Sequence, residues 1–313
     1  MSDSSPPPVA LRTYMAIRMG VIGVIAALGF AVWREIANSA DGCVQRSLSA
    51  YYYTAVRPVF VGALLIIGFA MIVMWGKTWL EDAVLNLAGL LLTVVALVPT
   101  LDANYCSLPK AVRGQVPDSE TKRINDTDLI NANAEAVARS FSALLVVVAL
   151  ILLFIAIAAL LAYRSAGTRP PTTHSVIAYA VTWVLAASAL VVYSVLFLDA
   201  DDPDSVFNHQ VHGWSANIAV GLIVVAVILA AREKAGGADP ADKKWVRWYG
   251  FVAGAMIFFA ILIKGGDAVG LFSSWDWVDA HATFLVEAVL IAFIGIFWII
   301  QTIDRRKEGA PSY

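Results

Sequence analysis

Four aspartates and two of the chain's four histidines fall within Asp199 to Trp214, DADDPDSVFNHQVHGW, between two long apolar runs. His209 and His212 are three apart, which puts both imidazoles on one face if the segment is helical. His281 heads the last apolar run at a similar membrane depth. Three imidazoles beside Asp199 match the donor types of a catalytic zinc site, with a bound water in the open position and a carboxylate as general base. HxxH is a short pattern, however, and HExxH is absent. The simpler reading of the same residues is a solvated acidic loop with interfacial histidines. Loose cation binding by the aspartates lies between the two.

Glu287 sits inside the final apolar run, where a carboxylate must pair, protonate or line a wet cavity. Six residues separate it from His281, which turns the two side chains about 120° apart on a helix. Arg57, Lys264 and Asn217 are its expected neighbours, and its expected role is a helix lock or the handling of a solute or proton. The run Ser47 to Thr54 brings three tyrosines, Tyr51, Tyr52 and Tyr53, up to Arg57 and Pro58. They read as an interfacial aromatic belt, or as hydroxyls and a guanidinium able to hold an anionic or sugar headgroup. Trp275 and Trp277, alternating with Asp276 and Asp279, carry the same two readings, membrane anchor or ligand platform.

Positioning these groups falls to a polytopic membrane protein of the all-α class. The 313 residues are 59% hydrophobic and only 15% charged, with a mean hydropathy of +0.73, far more apolar than a soluble domain. Apolar segments long enough to cross a bilayer predict eight helices over 12–33, 56–75, 82–98, 141–163, 175–198, 214–231, 245–264 and 282–303. Residues 1–11 and 305–313 are expected as tails, the first of them disordered, with a long loop over 100–140. Its second half has helix-forming composition, so the fourth helix is expected to start early, near Asp128. Asn125-Asp126-Thr127 fits a glycosylation acceptor pattern, on which nothing further rests. The first segment also has features of a signal peptide, with Arg12 and Arg18 as its basic region and Ala37-Asn38-Ser39 as a cleavage site. Trp33, Arg34 and Glu35 favour a retained helix with an interfacial anchor.

Basic residues gather around Arg164 to Arg169, Arg232 to Arg247 and Arg305 to Lys307. The positive-inside rule then places both termini in the cytoplasm and Asp199 to Trp214 on the outer face. Cys43 and Cys106 fall together in the first two outer loops, so a disulfide between them is expected. The even balance of 22 basic and 24 acidic residues sets nucleic acid aside as a partner. Glu81, Asp82 and Asn86, at the inner start of the third helix, read as caps. Ala88-Gly89 and Asp102-Ala103 match Ala253-Gly254 and Asp267-Ala268 at one offset, a thin sign of two four-helix halves.

SLSAYYYTAVRPVFVGALLIIGF, EDAVLNLAGLLLTVVALVPT, His212-Gly213 and FLVEAVLIAFIGIFWIIQ together resemble a group of bacterial polytopic inner-membrane proteins with no assigned activity. A weaker similarity is to the intramembrane zinc hydrolases of the alkaline ceramidase and adiponectin-receptor superfamily. That resemblance implies Ser47 or Ser49, Asp199, His209, His212 and His281 as the site types, although the superfamily's HxxxH and Ser-xxx-His pairs are missing here. Three functions stand side by side. The first binds or moves a small solute or lipid in an outward cleft and needs no cofactor, with Glu287 as its buried ionisable group and Arg57, Tyr52, Tyr53, Asn217 and Trp275 as contacts. The second is a zinc hydrolase at the outer leaflet, with Asp199 or Glu287 as base. The third is an accessory membrane subunit.

Overall fold

A computed structural model describes residues 8–74, 76–100, 106, 118–165, 173–202, 204–237, 240 and 242–305. Eight long helices account for most of them: α1 (Pro8–Asn38), α2 (Arg57–Val73), α3 (Trp79–Leu97), α4 (Asp118–Ser165), α5 (Thr173–Phe197), α6 (Val206–Ala235), α7 (Asp242–Ala260) and α8 (Ala282–Asp304). Each coincides with one of the eight apolar segments. The chain is a multi-pass membrane protein: seven helices are long and apolar enough to cross a bilayer, and α2, at 17 residues, is a shorter apolar helix.

The helix ends differ from expectation where local chemistry extends them. α1 begins at Pro8, within the stretch expected as a disordered tail. Proline is at home in a first helical turn, where its missing N–H costs nothing. α4 begins at Asp118, ten residues before the expected start and far outside its apolar stretch. Ser205 caps α6, its hydroxyl accepting from the Asn208 N–H at 3.3 Å, so this helix starts eight residues before the apolar run and takes in His209 and His212. Thr78 caps α3 by accepting from the Glu81 N–H at 3.1 Å. α7 continues through one π-helical turn, Ile261–Gly265. Asp102, Ala103, Arg169, Arg306 and Lys307 lie outside the described residues, as do the side chains of Asn125-Asp126-Thr127.

Six helices close a ring, in which α1 packs on α2, α2 on α3, α3 on α6, α6 on α7, α7 on α8 and α8 on α1. The main core lies along these contacts, with Val21, Ile67, Met71, Ala88, Ile223 and Met256 among its buried side chains. α4 and α5 form a peripheral pair leaning on α3, and their outward side chains, such as Phe154 and Val191, are exposed in the way lipid-facing residues are. A second apolar cluster of Val94, Val98, Val137, Phe141, Phe207 and Val211 joins that pair to α3 and α6. Arg18 of α1 contacts Gln301 near the end of α8, so the two described chain ends share one face, called here the terminal face. The opposite one, which carries Cys43 and Cys106, is the disulfide face.

Where α2 crosses α3 the two backbones touch at Gly68 and Gly89. A Cβ on Gly68 would stand 2.7 Å from the Gly89 carbonyl oxygen, and one on Gly89 would strike the Gly68 carbonyl oxygen and sit 2.9 Å from Ile72 Cγ1. Backbone atoms cannot move aside as a side chain can, and close crossings of this kind drive helix association in membranes. Gly89→Ala is therefore expected to cost about 1–3 kcal/mol through overpacking. Gly62→Ala in the same hairpin meets nothing within 4 Å and should be neutral or slightly stabilising. Thermal unfolding in nanodiscs compares them, and equal midpoints would show that the crossing tolerates a methyl group.

Candidate functional site

The connection between α1 and α2 is held against the start of α8 by a series of polar contacts. Cys43 is bonded to Cys106, with their Cα atoms 5.8 Å apart. His281 places Nδ1 2.7 Å from the Trp277 carbonyl oxygen and Nε2 3.1 Å from that of Val44, while its ring stacks on Trp277 with centroids 4.6 Å apart. The Phe284 N–H donates to the Arg46 carbonyl oxygen at 2.9 Å. Glu287 completes the series. Its Oε2 accepts from the Leu48 N–H at 2.7 Å and the Ser49 N–H at 3.3 Å, and its Oε1 lies 3.4 Å from the Ser49 hydroxyl. These are the leading N–H groups of the short 3-10 turn Ser49–Tyr53, so Glu287 acts as a remote helix cap, its negative charge set at the positive end of the turn. The carboxylate thus satisfies backbone donors, whereas the neighbours expected for it are engaged elsewhere or face outward. Arg57 serves Tyr52 and Asn133, Lys264 donates to Thr283 Oγ1 at 2.7 Å, and Asn217 lies on the exposed side of α6.

The turn presents its three tyrosines in three directions. Tyr51 is buried, its hydroxyl 3.5 Å from the Gln45 N–H, and burial pushes the phenol up to about 12. Tyr52 accepts from Arg57 Nη2 at 2.5 Å while the guanidinium lies 4.0 Å from its ring centroid. Burial raises the Tyr52 phenol, and the Arg57 charge works against that rise. Both tyrosines are neutral at ordinary pH. Arg57 Nη1 also donates to Asn133 Oδ1 of α4 at 3.4 Å, and Tyr53 donates to the Thr100 carbonyl oxygen at 2.6 Å.

Beyond Tyr53 and Asn133 a cleft of about 350 Å³ opens among the disulfide-face ends of α3, α4, α5 and α6. Val98, Val137, Phe197 and Phe207 form its apolar wall, and Tyr53, Asn133, Glu135, Asp201 and Asn208 its polar edge. Asn208 fixes one side by donating from Nδ2 to the Ala200 and Asp202 carbonyl oxygens at 3.0 and 2.8 Å. An apolar wall with a few oriented polar groups is the usual build of a small-molecule site. Neither Asn133 nor Asn208 stands out in the sequence, because single asparagines in polar segments carry no spacing signal.

The three histidines are placed separately. His212 is buried in α6, its Nδ1 2.6 Å from the Val98 carbonyl oxygen at the end of α3. His281 is committed to the α1–α2 connection, and His209 lies 4.0 Å from Asp204 in a more open position. Asp199 and Trp275 are exposed, Trp275 at 64%. Among the described residues no group of three His, Cys, Asp or Glu is arranged to hold a metal ion. Zinc therefore has no assembled ligand set among them.

The largest group of buried charges among the described residues lies on the terminal face, where Glu81 reads in the sequence as a cap and Arg305 as part of a basic end. Glu81 is fully buried and accepts from Arg305 Nη2 at 2.9 Å and Gln301 Nε2 at 3.3 Å. Lys234 pairs with Asp304 at 3.0 Å and Asp242 at 3.5 Å, and Tyr249 donates to Asp304 Oδ2 at 2.9 Å. The signal available beforehand was Arg18, a charge inside an apolar run, which deserves the same reading as Glu287.

Removing the Glu287 carboxylate strands the Leu48 and Ser49 N–H groups, at about 1–3 kcal/mol for each buried donor left unpaired. Glu287→Ala should lower the thermal midpoint clearly, and Glu287→Gln, which keeps an acceptor oxygen, should lower it less. Equal losses would tie the role to charge alone. Comparison with known proteins finds no family model, no curated protein and no solved structure that matches the chain.

Proposed function

We propose that this protein binds a small solute or a lipid headgroup in the cleft on its disulfide face, and that this face is extracytoplasmic, with both termini in the cytoplasm. The single observation that supports the binding role is the cleft itself. It combines an apolar wall from Phe197, Phe207 and Val98 with Asn133, Glu135, Asp201 and Asn208 at its edge. A cavity of about 350 Å³ falls within the range of small-ligand pockets. The acidic residues Asp199, Asp202 and Asp204 lie beside it in the α5–α6 connection and give its approach a negative field.

Glu287, Tyr52 and Arg57 serve this role indirectly. Glu287 caps the turn that carries Tyr53, and Arg57 bridges Tyr52 to Asn133, so two edge residues of the cleft depend on them. The orientation rests on two independent supports, the basic residues of the terminal-face connections and the Cys43–Cys106 bond, which belongs in an oxidising compartment.

Ala138 lines the cleft, and Ala138→Trp would fill it without touching the ring. A thermal-shift screen of amino acids, sugars, amines and short-chain lipids on the protein in nanodiscs should yield stabilising compounds, and Ala138→Trp should abolish their effect while keeping its own midpoint. A screen with no stabilising compound, or one whose hits persist in Ala138→Trp, overturns the cleft as the site. For orientation, fluorescent-protein and alkaline-phosphatase fusions after Tyr313 should be active and inactive respectively, and non-reducing peptide mapping should recover Cys43 linked to Cys106. The opposite pattern of fusion activities would reverse the orientation.

A further inference from the structure

Arg18 is 1% exposed, and the groups in direct contact with its guanidinium, Tyr14, Trp298 and Gln301, are neutral. Nη1 donates to Gln301 Oε1 at 2.7 Å, Nη2 donates to the Tyr14 hydroxyl at 2.5 Å, and the guanidinium lies 4.5 Å from the Tyr14 ring centroid and 5.4 Å from the Trp298 ring. The carboxylates nearby are taken by other groups. Glu81 is held by Arg305, Gln301 and the Lys77 N–H, and Asp304 by Lys234 and Tyr249. Among the described residues Arg18 therefore has no carboxylate in contact. Arg305 is paired with Glu81, and Lys234 with Asp304 and Asp242, so among the described residues Arg18 is the buried charge of this cluster with no oppositely charged group in contact.

A second observation points the same way. Arg18 Nε, Arg305 Nε and Trp298 Nε1 are shut off from solvent and have no acceptor among the described residues. All three side chains are about 1% exposed. Trp298 and Arg305, the C-cap of α8, are seven residues apart, which puts them on one side of the helix end, and Arg18 faces Trp298 from α1. A buried N–H donor without an acceptor costs about 1–3 kcal/mol, and more when charged. A guanidinium cannot relieve the cost by losing its proton. An acceptor that also carries negative charge satisfies both deficits together.

We infer that Arg18, Trp298 and Arg305 form a site for one oxyanion, a phosphate or carboxylate, on the terminal face of the helix ring. Its chemistry is that of guanidinium–oxyanion pairing, with the indole N–H as an added neutral donor. A free small anion and the phosphate of an anionic lipid present the same group to these donors. The site lies on the face opposite the cleft and stands without it.

The test uses the full-length protein in phosphatidylcholine nanodiscs, with and without phosphatidylglycerol, in sodium chloride or sodium phosphate at matched ionic strength. For a free-anion site, phosphate raises the thermal midpoint by several degrees in the neutral discs. For a lipid site, the rise comes with phosphatidylglycerol, and native mass spectrometry retains that lipid on the protein. In either case Arg18→Met loses the rise, and in neutral discs with chloride it is at least as stable as the wild type, because an uncompensated buried charge has been removed. The site is overturned if neither anion source shifts the wild type, or if Arg18→Met keeps the full shift. Should Arg18→Met fail to fold, Arg18→Lys retains the charge without Nε and the planar fork. The site then requires a smaller shift than wild type, and an unchanged one overturns it.

Discussion

The hydrogen bonds from Leu48 and Ser49 to Glu287 are the contacts on which the disulfide face depends. The chain between α1 and α2 runs as irregular backbone against the end of a membrane-spanning helix, a location where unpaired N–H groups are not tolerated. A carboxylate on α8 answers that constraint for the turn Ser49–Tyr53. The turn in turn sets Tyr52 under Arg57 and Tyr53 against Thr100. Through Arg57 and Asn133 the same chain of contacts reaches α4, a helix that otherwise leans loosely on the ring. One side chain therefore connects the closing contact of the ring to the edge of the cleft.

The architecture was readable because bilayer thickness imposes a length on apolar segments, and all eight expected segments are helices. The Ser205 cap drew α6 back over His209 and His212, and α4 also starts well before its apolar stretch. The pairing of Cys43 with Cys106 was also legible, since both fell in loops assigned to the same side. Contacts between distant segments were not. Glu287 was recognisable as a group needing a partner, yet its partners are backbone amides 239 and 238 residues away, and amides have no identity in a sequence. Asn133 and Asn208 gain meaning only when four helix ends converge.

The two faces handle buried polarity in different ways. On the disulfide face, side chains mostly satisfy backbone groups, as His281, His212 and Glu287 do. On the terminal face, side chains satisfy one another, in a network running from Tyr14 through Arg18, Gln301 and Glu81 to Arg305. Removing Glu81 or Arg305 from this network is costly, because the charge left behind has no water to turn to. The network joins α1, α3 and α8, so it closes the ring at that end as the first connection closes it at the other.

The short length of α2 has a consequence for the surrounding membrane. Its 17 residues extend about 25 Å, against about 30 Å of hydrocarbon, while the neighbouring α4 offers a 26-residue span, Ala132–Ile157. Ile66, Phe69 and Val73 on the outward side of α2 are exposed, so lipid chains beside them must shorten or tilt, whereas those along α4 need not. Each ångström of such mismatch costs a fraction of a kcal/mol. Helices of such unequal apolar length give the protein a hydrophobic perimeter of uneven height, lower at α2 than at α4.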